Sequence, residues 1–191
     1  MQLLSTIPTP FRQFALFAAL GLFLLAVPAA QAQDRAGRFE IGLDVGAIDF
    51  DSRTDDDTEL AFRLRGGYFF TERLELEGQV FSVVNVFGGD LDTLMVNVVY
   101  GLNEGRRTQP YVLGGIGSAR FQRTLGPFFG GPRVRIDEDG FAYQAGIGSR
   151  FAFTRSGRFG GRLELSVLQE DSLGDATHVI GSAGLIFTVG R

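Results

Sequence analysis

From Phe39 to Val189 the chain repeats one pattern eight times: apolar side chains alternate with polar or small ones, residue by residue. In the first segment Phe39, Ile41, Leu43, Val45 and Ala47 are separated by Glu40, Gly42, Asp44 and Gly46. The second sets Leu60, Phe62, Leu64, Gly66, Tyr68 and Phe70 against Ala61, Arg63, Arg65, Gly67 and Phe69. The third sets Leu74, Leu76, Gly78, Val80 and Val84 against Arg73, Glu75, Glu77 and Gln79. Leu94, Val96, Val98 and Tyr100 define a weaker fourth segment, interleaved with Thr93, Met95, Asn97 and Val99. The fifth, Tyr111 to Phe121, is so rich in glycine that its facing stays open. The sixth sets Phe141, Tyr143, Ala145, Ile147, Phe151 and Phe153 against Gln144, Gly146, Gly148 and Arg150. Phe159, Leu163, Leu165 and Val167 oppose Arg162, Glu164 and Ser166, and Val179, Ala183, Leu185, Phe187 and Val189 oppose Ser182, Gly184 and Thr188. A period of two sends alternate side chains to opposite faces of a strand, so each segment has one greasy and one polar or small face. Glycine, 27 of 191 residues, is about twice its average usage and makes long helices costly.

The segments run to about 9–12 residues, against a usual mean of about 5–6. About 9–11 residues is what a tilted strand needs to cross a bilayer. None of the six prolines falls inside a segment, and Pro110 stands at a strand start, where its missing N–H is tolerated. Short connections (Thr71-Glu72, residues 103–108, residues 154–157) alternate with mostly longer ones (48–59, a short one near Gly88-Gly89-Asp90, 122–139, 169–177). Short turns at one end and longer loops at the other describe an all-β, eight-stranded antiparallel up-and-down transmembrane β-barrel. Eight strands close on an interior that side chains can fill.

Residues 1–32 read as a signal peptide. They hold one charged side chain, Arg12, then 14 apolar residues from Phe14 to Val27, then Pro28-Ala29-Ala30-Gln31-Ala32. A cationic start, a short apolar core and a small-x-small site mark export and cleavage, here after Ala32. A helix of that length spans about 21 Å, less than the roughly 30 Å hydrocarbon core. The mature chain, 33–191, is then the barrel domain. No later stretch is apolar enough for a spanning helix, so any membrane passage must be made by a closed barrel. The absence of cysteine excludes disulfide scaffolds, thiol nucleophiles and cysteine zinc sites, and a formal charge of −4 argues against a basic nucleic-acid surface.

Periodicity does not say which face points inward. A soluble exported barrel of lipocalin type, holding a small apolar ligand, would place the greasy face inside. Three features favour lipid outside. The polar faces hold small residues with charges of both signs: Glu40, Asp44, Arg63, Arg65, Glu75, Glu77, Arg150, Arg162 and Glu164. A narrow lumen needs the space of the first and the pairing of the second. Aromatics gather at segment ends, as an interfacial girdle requires, and an export signal precedes them. Phe69, Phe81, Val83 and Val99 fall at inward positions and run against the pattern.

Gly66-Gly67-Tyr68-Phe69-Phe70-Thr71-Glu72-Arg73-Leu74-Glu75-Leu76-Glu77 resembles the glycine-tyrosine strand, tight turn and return strand of the small outer-membrane barrels of OmpA and opacity-protein type. Pro110-Tyr111-Val112-Leu113-Gly114-Gly115-Ile116-Gly117 is similar to that family's fifth strand, and Phe141-Ala142-Tyr143-Gln144-Ala145-Gly146-Ile147-Gly148 to its sixth. Such barrels usually end on an aromatic residue; here the segment ends Phe187-Thr188-Val189-Gly190-Arg191, and no peptidoglycan-binding domain is expected after it. The resemblance implies a non-enzymatic protein of a Gram-negative-type outer membrane, with a structural or surface-interaction role. It implies contact with outer-membrane lipid and lipopolysaccharide, insertion by the barrel-assembly machinery, a monomer, and no cofactor or nucleic acid.

Candidate chemistry is sparse. His178 is the single histidine; Ser182, four residues on, shares its strand face but lies about 13 Å away, too far for a proton relay, so His178 reads as a polar rim residue. Asp49, Asp51, Asp55, Asp56, Asp57 and Glu59 make an acidic first loop without calcium-loop spacing, which reads as a solvated tip. Phe128 and Phe129, between Gly126-Pro127 and Gly130-Gly131-Pro132, give a second loop an apolar tip. Asp55, Asp56, Asp57, Phe128 and Phe129 are the candidate loop contacts, and no residue is expected to bind metal. Gly114–Gly117 precedes no helix, so a dinucleotide fingerprint is rejected. The inward charges either line a narrow porin-like channel or close on one another as an ion-pair plug; the small bore of eight strands favours the plug.

Overall fold

A computed structural model describes residues 35–50, 58–84, 89–103, 107–125, 134–171 and 176–190. Eight strands run in chain order: β1 (Phe39–Phe50), β2 (Thr58–Phe69), β3 (Leu74–Val84), β4 (Gly89–Gly101), β5 (Thr108–Leu125), β6 (Val134–Ala152), β7 (Phe159–Glu170) and β8 (Ala176–Val189). Each pairs antiparallel with its sequence neighbours, and β8 pairs with β1 from Phe39↔Val189 to Phe50↔His178. Closure satisfies the edges that an open sheet would leave with unpaired N–H and C=O groups.

The greasy face points outward. Leu43 is 59% exposed and Leu185, its neighbour across the β1–β8 seam, 54%. Ile41, Val45, Leu64, Leu76, Leu94, Val96, Ile116 and Ile147 continue this band around the wall, while Glu40 and Glu164 are buried within. That arrangement overturns the soluble lipocalin-like alternative, whose greasy residues would pack centrally. Aromatics close the band at the short-turn end. There Phe39 and Tyr68 lie 4.8 Å apart between ring centroids, Tyr68 meets Phe70 edge-on at 5.1 Å, and Phe153 meets Phe159 at 5.7 Å. Phe141 and Tyr143 pair at 6.1 Å towards the other end.

Three details differ from the sequence reading. The 122–139 connection is mostly strand, because β5 continues to Leu125 and β6 begins at Val134, paired up to Leu125↔Val134. The hairpin therefore outruns its neighbours: β6 pairs with β7 only from Ala142↔Glu170 downwards. The open facing of the fifth segment is settled by register: Tyr111, Leu113 and Ala119 are buried inward, while Val112 and Ile116 are exposed. Phe151, assigned to the lipid face, is nearly covered, next to Gly161, where the Phe153 ring occupies the space a side chain would need.

Nitroxide labels along residues 39–47 should alternate, with odd positions accessible to membrane-dissolved oxygen and even ones shielded. Leu43→Arg should cost about 2–4 kcal/mol in bilayer unfolding, as a charge on the lipid face does near mid-depth. A cost near zero would place Leu43 away from lipid.

Candidate functional site: the barrel interior

Inward positions of all eight strands meet along one axis, and those near the short-turn end carry the charges. Glu164 of β7 is the hub. It pairs with Arg63, with Arg65 at 3.0 Å and with Arg162 at 2.8 Å, and accepts a hydrogen bond from the Tyr111 hydroxyl at 2.9 Å. Arg65 also pairs with Asp44, and reaches Glu77 at 3.5 Å. Arg162 pairs with Glu77 and donates from Nε to the Tyr111 hydroxyl at 2.6 Å. Arg150 holds Glu75, and Glu40 at 3.1 Å. All nine charged side chains are almost completely buried.

These partners are not the ones that strand pairing sets side by side. Asp44 lies opposite Arg63 in the β1–β2 ladder but bonds to Arg65; Glu164 crosses the lumen from β7 to reach β2. Arg150 and Arg162 are direct cross-strand neighbours, an arrangement that repels by itself. Carboxylates from β1 and β3 neutralise them, and Tyr111 lies against both guanidinium groups, at 4.9 Å from Arg150 and 4.5 Å from Arg162.

The inward aromatics that ran against the pattern have the same explanation. Phe69 lies beneath Arg150 at 5.1 Å, and Phe81 beneath Arg63 at 5.3 Å. A ring face attracts a desolvated cation, so these positions serve the charges they appear to interrupt. Val99 packs with Tyr111 and Leu113. Towards the long-loop end Phe81 and Val83 join Ile48, Leu91, Met95, Leu168 and Ile180 in an apolar cluster inside the barrel. The interior is thus a charged layer below an apolar one. The two are joined by polar side chains: Gln79 donates to Gln144 at 2.6 Å, and Gln144 to Glu164 at 3.4 Å.

Glycine makes the space. A Cβ at Gly67 would collide with the Glu75 carboxylate, one at Gly184 with that of Asp44, and one at Gly148 with the Tyr111 hydroxyl. Gly66, one residue away on the outer wall, has nothing within 4 Å of such a Cβ.

The structure thus brings Glu40, Asp44, Arg63, Arg65, Glu75, Glu77, Arg150, Arg162 and Glu164 into one network, the Arg150 group joined to the rest through Arg162 and Glu40 at 3.9 Å. Asp55, Asp56, Asp57, Phe128 and Phe129 lie outside the described residues, as does the 1–32 segment. His178 is no exposed rim residue: it is buried, with Nε2 3.4 Å from Glu170 Oε1. Among the described residues no cluster of three or more His, Asp or Glu is placed to hold a metal ion. Sequence reasoning counted Tyr111, at the start of the fifth segment, among the girdle aromatics, whereas it is buried in the lumen; it also passed over the inward amides Gln79, Asn97 and Gln144, which period two had placed. It also missed Arg35. This residue precedes β1, outside any alternating segment, yet it is buried at the short-turn end with Phe69 5.6 Å away. Its Nη1 donates to Gln109 at 2.8 Å, and Gln109 donates in turn to the Glu72 and Asn103 carbonyls, both at 3.0 Å. Burial pushes the Arg35 guanidinium below its ordinary pKa, against the pull of Glu40. With Arg35 the interior around the hub holds five arginines for five carboxylates.

A lipid-facing closed barrel of eight strands, filled by its own side chains, defines a small transmembrane β-barrel. The chain belongs to the outer membrane protein beta-barrel domain family, whose pattern matches residues 17–187. No curated protein matches it. Among solved structures it is similar to the N-terminal β-barrel domain of Pseudomonas aeruginosa OprF, at 18% identity and a TM-score of 0.55, over 82% of this chain and 100% of that one. Neisserial surface protein A is 15% identical with a TM-score of 0.60, over 79% of this chain and 98% of that one. The attachment invasion locus protein Ail of Yersinia pestis, solved with the heparin analogue sucrose octasulfate, is 18% identical with a TM-score of 0.52, over 81% and 99%. At these identities the likeness is one of fold.

Arg162→Leu removes the cation shared by Glu77, Glu164 and Tyr111, and should lower stability in detergent unfolding by about 3–5 kcal/mol. A change within about 0.5 kcal/mol, the usual range for exposed positions, would contradict its burial. The adjacent glycines give an internal control: Gly67→Ala should destabilise the barrel clearly and Gly66→Ala hardly at all, when melting points are compared in one detergent.

Proposed function

We propose that this protein is a non-enzymatic outer-membrane barrel with a structural or surface-interaction role, its lumen closed by charged pairs. The observation that carries the reading is the filled interior. Any ion path would have to cross the Arg–Glu network and then the apolar cluster around Phe81, Met95 and Ile180. Eight strands leave little bore beside such contents. Function then resides at the ends of the barrel, in loops carried by a rigid wall. The acidic residues Asp55, Asp56 and Asp57 and the apolar pair Phe128 and Phe129 are the proposed contact points on the long-loop side. Ail, a protein of this fold, was solved with a polysulfated sugar analogue; the acidic first loop here suits a different, cationic or cation-bridged surface such as lipopolysaccharide with its divalent ions.

In this reading residues 1–32 are a signal peptide cut after Ala32, and assembly machinery inserts the mature chain as a monomer. Purified protein in planar bilayers should give no discrete openings, and an Arg162→Leu variant that still folds should conduct no more than a trickle, since the apolar layer remains. Regular single-channel steps from the unaltered protein would favour the porin-like alternative instead.

A further inference from the structure

The short-turn end carries further arginines, outside the group that surrounds Glu164. Arg38 precedes β1, Arg73 ends the β2–β3 turn, Arg107 leads into β5, and Arg155 and Arg158 occupy the β6–β7 turn. Arg155 and Arg158 are exposed and the other three half-buried. Among the described residues of these junctions the one carboxylate is Glu72. The opposite end has the reverse sign. Glu59, Asp92, Glu138, Asp139, Glu170 and Asp171 lie towards that end against the arginines Arg120, Arg123 and Arg135, and Arg120 is held by Asp139 at 2.7 Å. Short turns mark the periplasmic side of such barrels. The basic ring therefore lies at the inner leaflet.

We propose that this ring binds the phosphate headgroups of anionic phospholipid in the inner leaflet of the outer membrane. Each arginine stands one to three residues beyond an aromatic of the lipid-facing girdle, except Arg107, which lies across from Ala152 through an Nε–carbonyl hydrogen bond of 3.1 Å. Arg38 adjoins Phe39, Arg73 follows Phe70, and Arg155 and Arg158 lie between Phe153 and Phe159. Phe39, Phe70, Phe153 and Phe159 are all substantially exposed on the outer wall. Girdle aromatics sit at headgroup depth, so guanidinium groups just past them meet phosphate rather than acyl chain or free solution. The planar fork of arginine suits two oxygens of one phosphate. A soluble anionic polymer would need the charge but not the adjoining rings. The acidic far end repels the same lipid, so the barrel would sort anionic headgroups to its inner side.

The test uses the folded mature protein in nonionic maltoside micelles, titrated with dihexanoylphosphatidylglycerol or dihexanoylphosphatidylcholine and followed by backbone amide NMR. The glycerol lipid should shift amides at Arg38, Arg73, Arg155 and Arg158 saturably; the choline lipid should shift the apolar band alone. Binding at a given turn should weaken about fivefold for each of its arginines changed to Gln. If the variant with Arg38, Arg73, Arg155 and Arg158 all changed to Gln fails to fold, Arg155→Gln with Arg158→Gln, both in an exposed turn, should weaken the titration at 153–159 about 25-fold and leave that at Arg38 and Arg73 unchanged. Equal turn shifts from both lipids, or a titration at 153–159 that the substitutions leave unchanged, overturn the proposal. So does polyglutamate producing the same turn shifts at matched charge, which would assign the ring to a soluble polymer.

Discussion

Burial of full charges inside a closed β-barrel governs everything else in this protein. A carboxylate or guanidinium taken from water without a partner costs several kcal/mol, so the interior is stable only when both signs arrive together and in contact. Five carboxylates around Glu164, Glu77 and Glu40 share the interior with five arginines; four of these pair directly with carboxylates, and Arg35, from ahead of the first strand, is held by Gln109 within the field of Glu40 and Glu75. The network spans strands that are not adjacent, so it forms only as the barrel closes. Such a network makes little net stability by itself; it penalises every wrong register, because a slip of one residue would turn charges towards lipid.

The remaining interior residues follow from that requirement. Glycines at Gly67, Gly148 and Gly184 leave room for the carboxylates and for Tyr111. Tyr111 receives a hydrogen bond from Arg162 and donates one to Glu164, which ties two charges of opposite sign through a neutral group. Phe69 and Phe81 place ring faces under guanidinium groups. Beyond them the lining becomes aliphatic, and the lumen is sealed by ordinary packing.

The outer wall obeys a different solvent. Leucine, valine and isoleucine at half-exposure would be a liability in water but are the natural contact for acyl chains. The aromatic rings at the rim fix the depth at which that contact ends. Where the wall passes the rim, charge returns, with arginine at one end and mainly carboxylates at the other. That polarity gives the two mouths of the barrel different chemistries on one rigid frame.

The alternation of residues by itself determined the strand count, the antiparallel up-and-down order, the two faces of most strands and the list of charges between them, because a strand's period of two is a local property. It left the β5 facing open, since glycine carries no face, and it ended the β5–β6 hairpin too early, since polar strand beyond the membrane looks like loop. Only the tertiary structure decided which arginine meets which carboxylate, that Arg150 and Arg162 tolerate direct opposition, that His178 is buried beside Glu170, and that Arg35 belongs to the interior at all. Those facts depend on distances across the lumen, which exist only once β8 has paired with β1.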